Sequence, residues 1–261
     1  MRIRHHASLG LAATACLVLS GCTNAADWNA NRSSQIHSFD TSSIQAQPDI
    51  IAKLPQGALE DGVLDVAAST DYAPAEFLDP SGTAVGYDVD LTNAIAAVLG
   101  VKGKVHTAEF DSIIASIGSK YDAGISSFTV TPERTAEVDM TAYINVGSRF
   151  NVQAGNPKGV ETSDHLKLCG RTIGVQVGTQ ETTMRDAADK CAQAGKPVLS
   201  VRSYSKQSEA TTGLVGGTID ATYSDSTVAG YAVELTDGQI VTLGEIEDAA
   251  PQGVVTAKAD P

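Results

Sequence analysis

The chain is expected to fold as an α/β protein of two lobes, and three observations lead there. Strand-like and helix-like runs alternate from about residue 48 onward. The alternation occurs twice, with a break near residue 145. Hydrophobic residues make up 42% of the chain and charged residues 19%, the composition of a packed globular protein rather than a disordered one. Each lobe is then a mainly parallel sheet flanked by helices, and a cleft for a small ligand is expected between them. With 261 residues the chain can build two cores.

The elements follow in order. Ile50, Ile51 and Leu54 predict a short helix ending at Pro55, and Val63–Ala68 reads as a strand. Asp88 through Leu99 reads as a helix with Leu91, Ile95, Val98 and Leu99 on one face and Gly100 as its stop. Val105–Ala108 is a strand. Asp111 is expected to cap a helix carrying Ile113, Ile114 and Ile117 and stopped by Gly118, and Ala123–Ser126 is the next strand. In the second unit, strands are predicted at Thr172–Val177, Pro197–Val201 and Ala221–Ser224, and helices at Gln180–Ala194 and Tyr204–Gly213. Ile240–Leu243 and Val254–Ala257 read as late strands.

The N-terminus reads as a leader rather than as part of the fold. Arg2 and Arg4 precede a short apolar run, Leu9–Leu19, too short to span a bilayer, and Leu19-Ser-Gly-Cys22 follows. That ending resembles a bacterial lipobox, so residues 1–21 are expected to be a lipoprotein signal peptide and Cys22 the lipid anchor. An ordinary secreted protein with an accidental LSGC is the alternative. Residues 22–47, rich in Asn, Ser, Thr, Ala and Gln, read as a flexible tether. Cys16 lies in the leader, which leaves Cys169 and Cys191. In an oxidising compartment they are expected to form a disulfide, two free buried thiols being the alternative. No CxxC motif or nearby histidine pair accompanies them, so neither a metal nor a cofactor is expected. A formal net charge of −13 repels nucleic acid, which is excluded as a partner.

The most specific signal is Gly86-Tyr87-Asp88-Val89-Asp90-Leu91, continued by Ile95, Ala96 and Leu99. It is a glycine turn into a helix whose positive start carries acids. This segment resembles the signature of family 3 of the bacterial extracellular solute-binding proteins, which serve polar amino-acid importers. Five further segments resemble that family, in the right order along the chain: Tyr72–Gly82, Glu109–Ile114, Tyr121–Arg134, Gly178-Thr-Gln-Glu181 and Gly217–Asp225. The cysteine pair resembles that of a lipoprotein branch. The resemblance implies a two-lobed, type II periplasmic-binding-protein-like fold, divided as 48–144 for the first part of lobe 1, 145–242 for lobe 2 and 243–261 for the return to lobe 1. By that resemblance, further helices would follow this return, and the sequence departs from the family pattern in stopping before them.

The resemblance also implies a ligand site, and the residue chemistry agrees with it. Arg134 offers a planar, always charged fork for a carboxylate. Ser127 and Thr129 add donors, and the amides of Thr179 and Gln180 sit at a helix start, where anions are favoured. Asp225 is the expected acceptor for an ammonium, with a helix N-cap as its alternative role. Tyr72 and Phe110 would wall the ligand side chain. Glu76 and Phe77 are candidate specificity positions, Glu76 reading alternatively as a solvated loop acid. The implied function is a lipid-anchored, extracytoplasmic binding component of an ABC importer. As a monomer it would hold a polar amino acid between its lobes and present it to a permease with its ATPase. A sensing module without transport is the alternative. A dehydratase on the same scaffold is the weaker one, since no histidine is expected in the cleft to act as acid or base, so the chain is not expected to be an enzyme.

Overall fold

Two long antiparallel strands form the middle of the molecule. In the computed structural model, which describes residues 38–258, β7 (Val138–Gln153) and β11 (Ile240–Ala257) pair along their length, from Ile240 opposite Gln153 to Ala257 opposite Val138. They sit inside one eight-stranded mixed sheet of order β5-β1-β6-β11-β7-β10-β8-β9. On one side β5 (Lys102–Thr107), β1 (Val63–Ala68) and β6 (Ala123–Gly124) run parallel to one another. On the other side β10 (Ala221–Asp225), β8 (Thr172–Gln176) and β9 (Ser200–Tyr204) do the same. Each flank is thus the parallel sheet expected of a lobe, and the central pair adds an antiparallel seam. Each flank has its own core: Phe110, Ile113, Phe128 and Val255 with Leu64, Val66 and Ile125 on one side, and Phe150, Leu168, Ile173, Met184 and Tyr223 on the other.

The helices are α1 (Pro48–Ile51), α2 (Tyr87–Leu99), α3 (Phe110–Ile113), α4 (Pro132–Glu137), α5 (Glu181–Gln193), α6 (Gln207–Val215) and α7 (Ser226–Leu235). Gly86 enters α2 at φ 121°, and a Cβ there would lie 2.2 Å from the Ala75 carbonyl oxygen, so only glycine fits this turn. Gly100 ends α2 in the left-handed conformation, with its N–H on the Ala96 and Ala97 carbonyls. A small sheet, β2 (Asp71–Tyr72), β3 (Glu76–Leu78) and β4 (Ala84–Val85), leads into that turn.

Several expectations are corrected. Asp111 does not cap a helix: Glu109 is the N-cap residue of α3, and after Ile113 the chain tightens into a 3₁₀ turn, Ile114–Ser116. The strand expected at Pro197–Val201 and the helix expected at Tyr204–Gly213 each lie about three residues later. The two late strands are one, β11, broken only in register between Leu243 and Glu247, Glu247 and Ala250, and Gln252 and Gly253. The tether expected to run to residue 47 is already fastened at Phe39, whose N–H donates to Asp90 Oδ2, and again where the Gln47 N–H meets the Val98 carbonyl. Cys169 and Cys191 form a disulfide across a Cα separation of 5.6 Å. The leader, Cys16 and Cys22 lie outside the described residues. Among the described residues no helix is long and apolar enough to cross a membrane, and no group of three or more His, Cys, Asp or Glu side chains is arranged to hold a metal ion.

Candidate functional site

The carboxyl ends of the parallel strands of both flanks open onto one cavity of about 510 Å³, the place where α/β sheets receive ligands. Tyr72, Phe110, Ser127, Thr129, Arg134, Thr179, Gln180 and Asp225 all line it. The structure therefore brings together residues spread over more than 150 positions of sequence.

One wall is cationic. Thr131 caps α4 by accepting the Arg134 N–H, and Pro132 starts the helix, which aims Arg134 inward. The guanidinium lies over the rings of Phe110 and Phe128, 5.4 and 5.5 Å from their centroids, and the two rings stack on each other at 4.8 Å. This aromatic shelf fixes the plane of the fork. Nη1 donates to the Thr129 carbonyl at 2.8 Å and Nη2 to the Gly178 carbonyl on the opposite flank at 3.0 Å. A guanidinium has five N–H groups, so the fork retains donors for an anion. Burial lowers its pKa somewhat, and the charge of Asp225 acts the other way.

The other wall is anionic. Asp225 ends β10 and is 5% exposed. Its Oδ1 accepts Gln180 Nε2 and its Oδ2 accepts Gln252 Nε2, both at 2.7 Å, while its own N–H donates to the Tyr72 hydroxyl at 3.3 Å. Asp225 is also the N-cap residue of α7, as its alternative role had it, but its side chain makes no cap bond and is directed to Gln180 and Gln252 instead. Burial raises the Asp225 pKa to about 6 against the lowering effect of those hydrogen bonds and of Arg134. A buried carboxylate that gains from a cation and a guanidinium that gains from an anion thus share one cavity.

Other expected roles change. Ser127 adopts φ 51°, and both its N–H and its hydroxyl donate to Asp88 Oδ2, so it is not the free donor expected. Thr179 directs its N–H and its hydroxyl to the Gln176 carbonyl, at 3.3 and 2.8 Å, so a ligand would compete for that amide. Glu76 is neither a specificity position in the cavity nor a solvated acid. It is fully buried, accepting the Ser126 hydroxyl, because β3 turns it inward. Phe77 on the same strand faces a separate cavity and meets Tyr231 at 6.2 Å.

Sequence reasoning missed Gln176, Ser148 and Gln252. Gln176 lines the cavity at the end of β8 and donates to Ser69 across the cleft at 3.2 Å. Ser148 on β7 is held by Gln180. Gln252 reaches Asp225 through the register of β11. Gln176, two residues before the Gly178 turn, carried a local signal; the other two depend on strand pairing alone.

Comparison with known proteins supplies context for this geometry. Residues 64–232 match the profile of the bacterial extracellular solute-binding proteins, family 3. The arginine-binding protein ArgT of Corynebacterium glutamicum is 31% identical over 251 residues, covering 95% of this chain and 79% of its own. An L-arginine-binding protein of Pseudomonas aeruginosa is 34% identical over 194 residues, covering 74% and 69%. An ancestral arginine-binding protein, solved bound to arginine, superposes with a TM-score of 0.68 at 31% identity, covering 76% of this chain and 86% of that one. An ancestral amino acid-binding protein described as a precursor of cyclohexadienyl dehydratase gives 0.67 at 30% identity, covering 78% and 85%.

Proposed function

The chain belongs to the bacterial extracellular solute-binding proteins of family 3, and on that premise we propose that it is the receptor component of an ABC importer for a polar α-amino acid. The observation that carries this reading is the pairing of Arg134 and Asp225 on one cavity. An α-amino acid presents a carboxylate and an ammonium on one carbon, and it complements both walls at once. Arg134 receives the carboxylate and Asp225 the ammonium, while Tyr72 and Phe110 bound the side chain. Arginine is the first ligand to try, since relatives are named for it.

Contacts already run between the flanks, from Arg134 to Gly178 and from Gln176 to Ser69. A ligand gripped from both sides stabilises the closed arrangement more than an open one, which shifts the population toward the shape a permease would recognise. In this reading the lobes divide near residues 144 and 243 and move about β7 and β11. Lipid on Cys22 holds the receptor at the outer face of the membrane.

Thermal melts against the common amino acids test the reading. A ligand at 100 times its Kd stabilises by about 2.7 kcal/mol. The expected result is that one polar amino acid raises the midpoint and that Arg134→Ala abolishes the rise. A cooperative melt that no amino acid shifts would remove the assignment.

A further inference from the structure

Beneath the Ser127 side of the cavity lie two carboxyls shut off from water. Glu76 is fully buried and Asp88 is 1% exposed, and each carboxyl lies close enough to act on the ionisation of the other. Asp88 also has three donors: the Ser127 N–H at 2.8 Å and hydroxyl at 3.2 Å on Oδ2, and the Tyr143 hydroxyl at 2.7 Å on Oδ1. Glu76 has one, the Ser126 hydroxyl on Oε1 at 2.5 Å, while its Oε2 is buried without a donor. Adjacent buried carboxyls do not both ionise. Burial raises the Asp88 pKa and its three donors act the other way, so of the two carboxyls Asp88, with three donors against one, is the one that holds the charge. A proton on Glu76 Oε2, donated to Asp88, resolves the orphaned oxygen.

The arrangement is placed to act on the cleft. Ser127 holds a left-handed conformation that a side chain adopts only when its surroundings enforce it. Asp88 enforces it by taking both Ser127 donors. The residues that follow carry the cationic wall: Phe128 is half of the aromatic shelf, and the Thr129 carbonyl holds Arg134.

We infer that Asp88, kept ionised beside a neutral Glu76, is a positioning residue that holds the Ser127–Arg134 segment in the geometry that receives the ligand carboxylate. The inference rests on the amino-acid-binding reading above. The other titratable groups facing Glu76 are Tyr72 on β2, Tyr87 on α2, Tyr143 on β7 and Asp225 at the end of β10, none of them cationic. Nothing in that set favours an ionised Glu76, and burial beside Asp88 drives its pKa well upward.

Carboxyl-carbon NMR of the ¹³C-glutamate-labelled protein tests the protonation without any ligand, with Glu76→Gln identifying the resonance. The expected signal stays in its protonated position at pH 7, well above the range in which a free glutamate carboxyl ionises. Calorimetry with L-arginine as probe tests the positioning. Asp88→Asn is expected to weaken binding about tenfold or more, the scale of a lost charge-assisted hydrogen bond. Glu76→Leu should lose a similar factor, and Glu76→Gln, whose amide can donate to Asp88 and accept from Ser126, should recover most of it. Should Asp88→Asn fail to melt cooperatively, Tyr143→Phe carries the test. It removes one donor from Asp88 outside the cavity lining and should cost several-fold in affinity. Wild-type affinity in Asp88→Asn or Tyr143→Phe, or a Glu76 resonance that ionises in the range of a free glutamate carboxyl, overturns the inference. Absence of amino-acid binding by the wild type overturns the functional reading instead, and the NMR signal still decides the state of Glu76.

Discussion

Asp225 should make ligand affinity fall in mild acid. Its carboxyl is moved from 3.8 to about 6, first by burial, with Gln180, Gln252, Tyr72 and Arg134 acting in the opposite direction. An ammonium is bound only by the ionised form. With a pKa of about 6, roughly nine-tenths of molecules are ionised at pH 7 and a little under one-tenth at pH 5, so the dissociation constant rises about tenfold between them. The sign for stability is the opposite. Because the folded-state pKa is raised, the unliganded protein holds a proton that the unfolded chain releases. Its stability therefore declines as pH rises from about 4 to about 6, by up to about 3 kcal/mol from this group. Titration calorimetry with L-arginine from pH 5 to 8 reads the first effect, and urea midpoints without ligand read the second. Asp225→Asn is the control: weak binding that no longer varies over that range. A wild-type affinity that stays flat between pH 5 and 7 would refute the assignment of Asp225 as the ammonium partner.

Three further outcomes follow from the same coordinates. Arg134→Ala should weaken amino-acid binding about a hundredfold or more, since it strips the partner from a desolvated charge; Arg134→Lys should recover little, because a point charge replaces a fork held flat on Phe110 and Phe128. Replacing Cys169 and Cys191 by serine opens a loop with a sequence separation of 22; this should cost about 3 kcal/mol, or a melting point lower by roughly 6–12 °C, with affinity unchanged. Gly86→Ala places a methyl 2.2 Å from the Ala75 oxygen at φ 121°, and a urea midpoint showing a loss under about 1 kcal/mol would contradict the account of that turn.

Local signals were read well where local physics decides. Helix α2 announced itself through acids at its start, an apolar stripe and Gly100, and the structure ends it at that glycine. Strand β1 was apolar but for Asp65, and Val66, Ala67 and Ala68 at its end are buried. The seam between the flanks was hard to read for the opposite reason. The first half of β7, Val138-Asp-Met-Thr-Ala-Tyr-Ile-Asn145, is mostly solvent-facing and has no clean alternation of burial. It is a strand because β11 pairs with it, and such pairing is set by partners about a hundred residues away. The bulges of β11 likewise split one strand into two apparent ones.

The candidate site divides along the same line. Arg134 and Asp225 were legible because their chemistry suits a carboxylate and an ammonium, and their segments have recognisable turns. How they are wired was not legible. Gln252 reaches Asp225 only because β10 and β11 pair with opposite edges of β7, and Ser127 turns its donors away from the cleft only because α2 presents Asp88 beneath it. Glu76 shows the limit most clearly. In the sequence it is one acid in a loop, and a charge in a loop ordinarily stays in water. Its burial follows from β2–β4 folding it against Ser126 and Asp88, and the cost of enclosing two charges together is far larger than that of protonating one. Tertiary structure thus converts a residue that reads as a surface charge into a neutral hydrogen-bond donor. The acid beside it keeps the charge that holds the wall of the cleft.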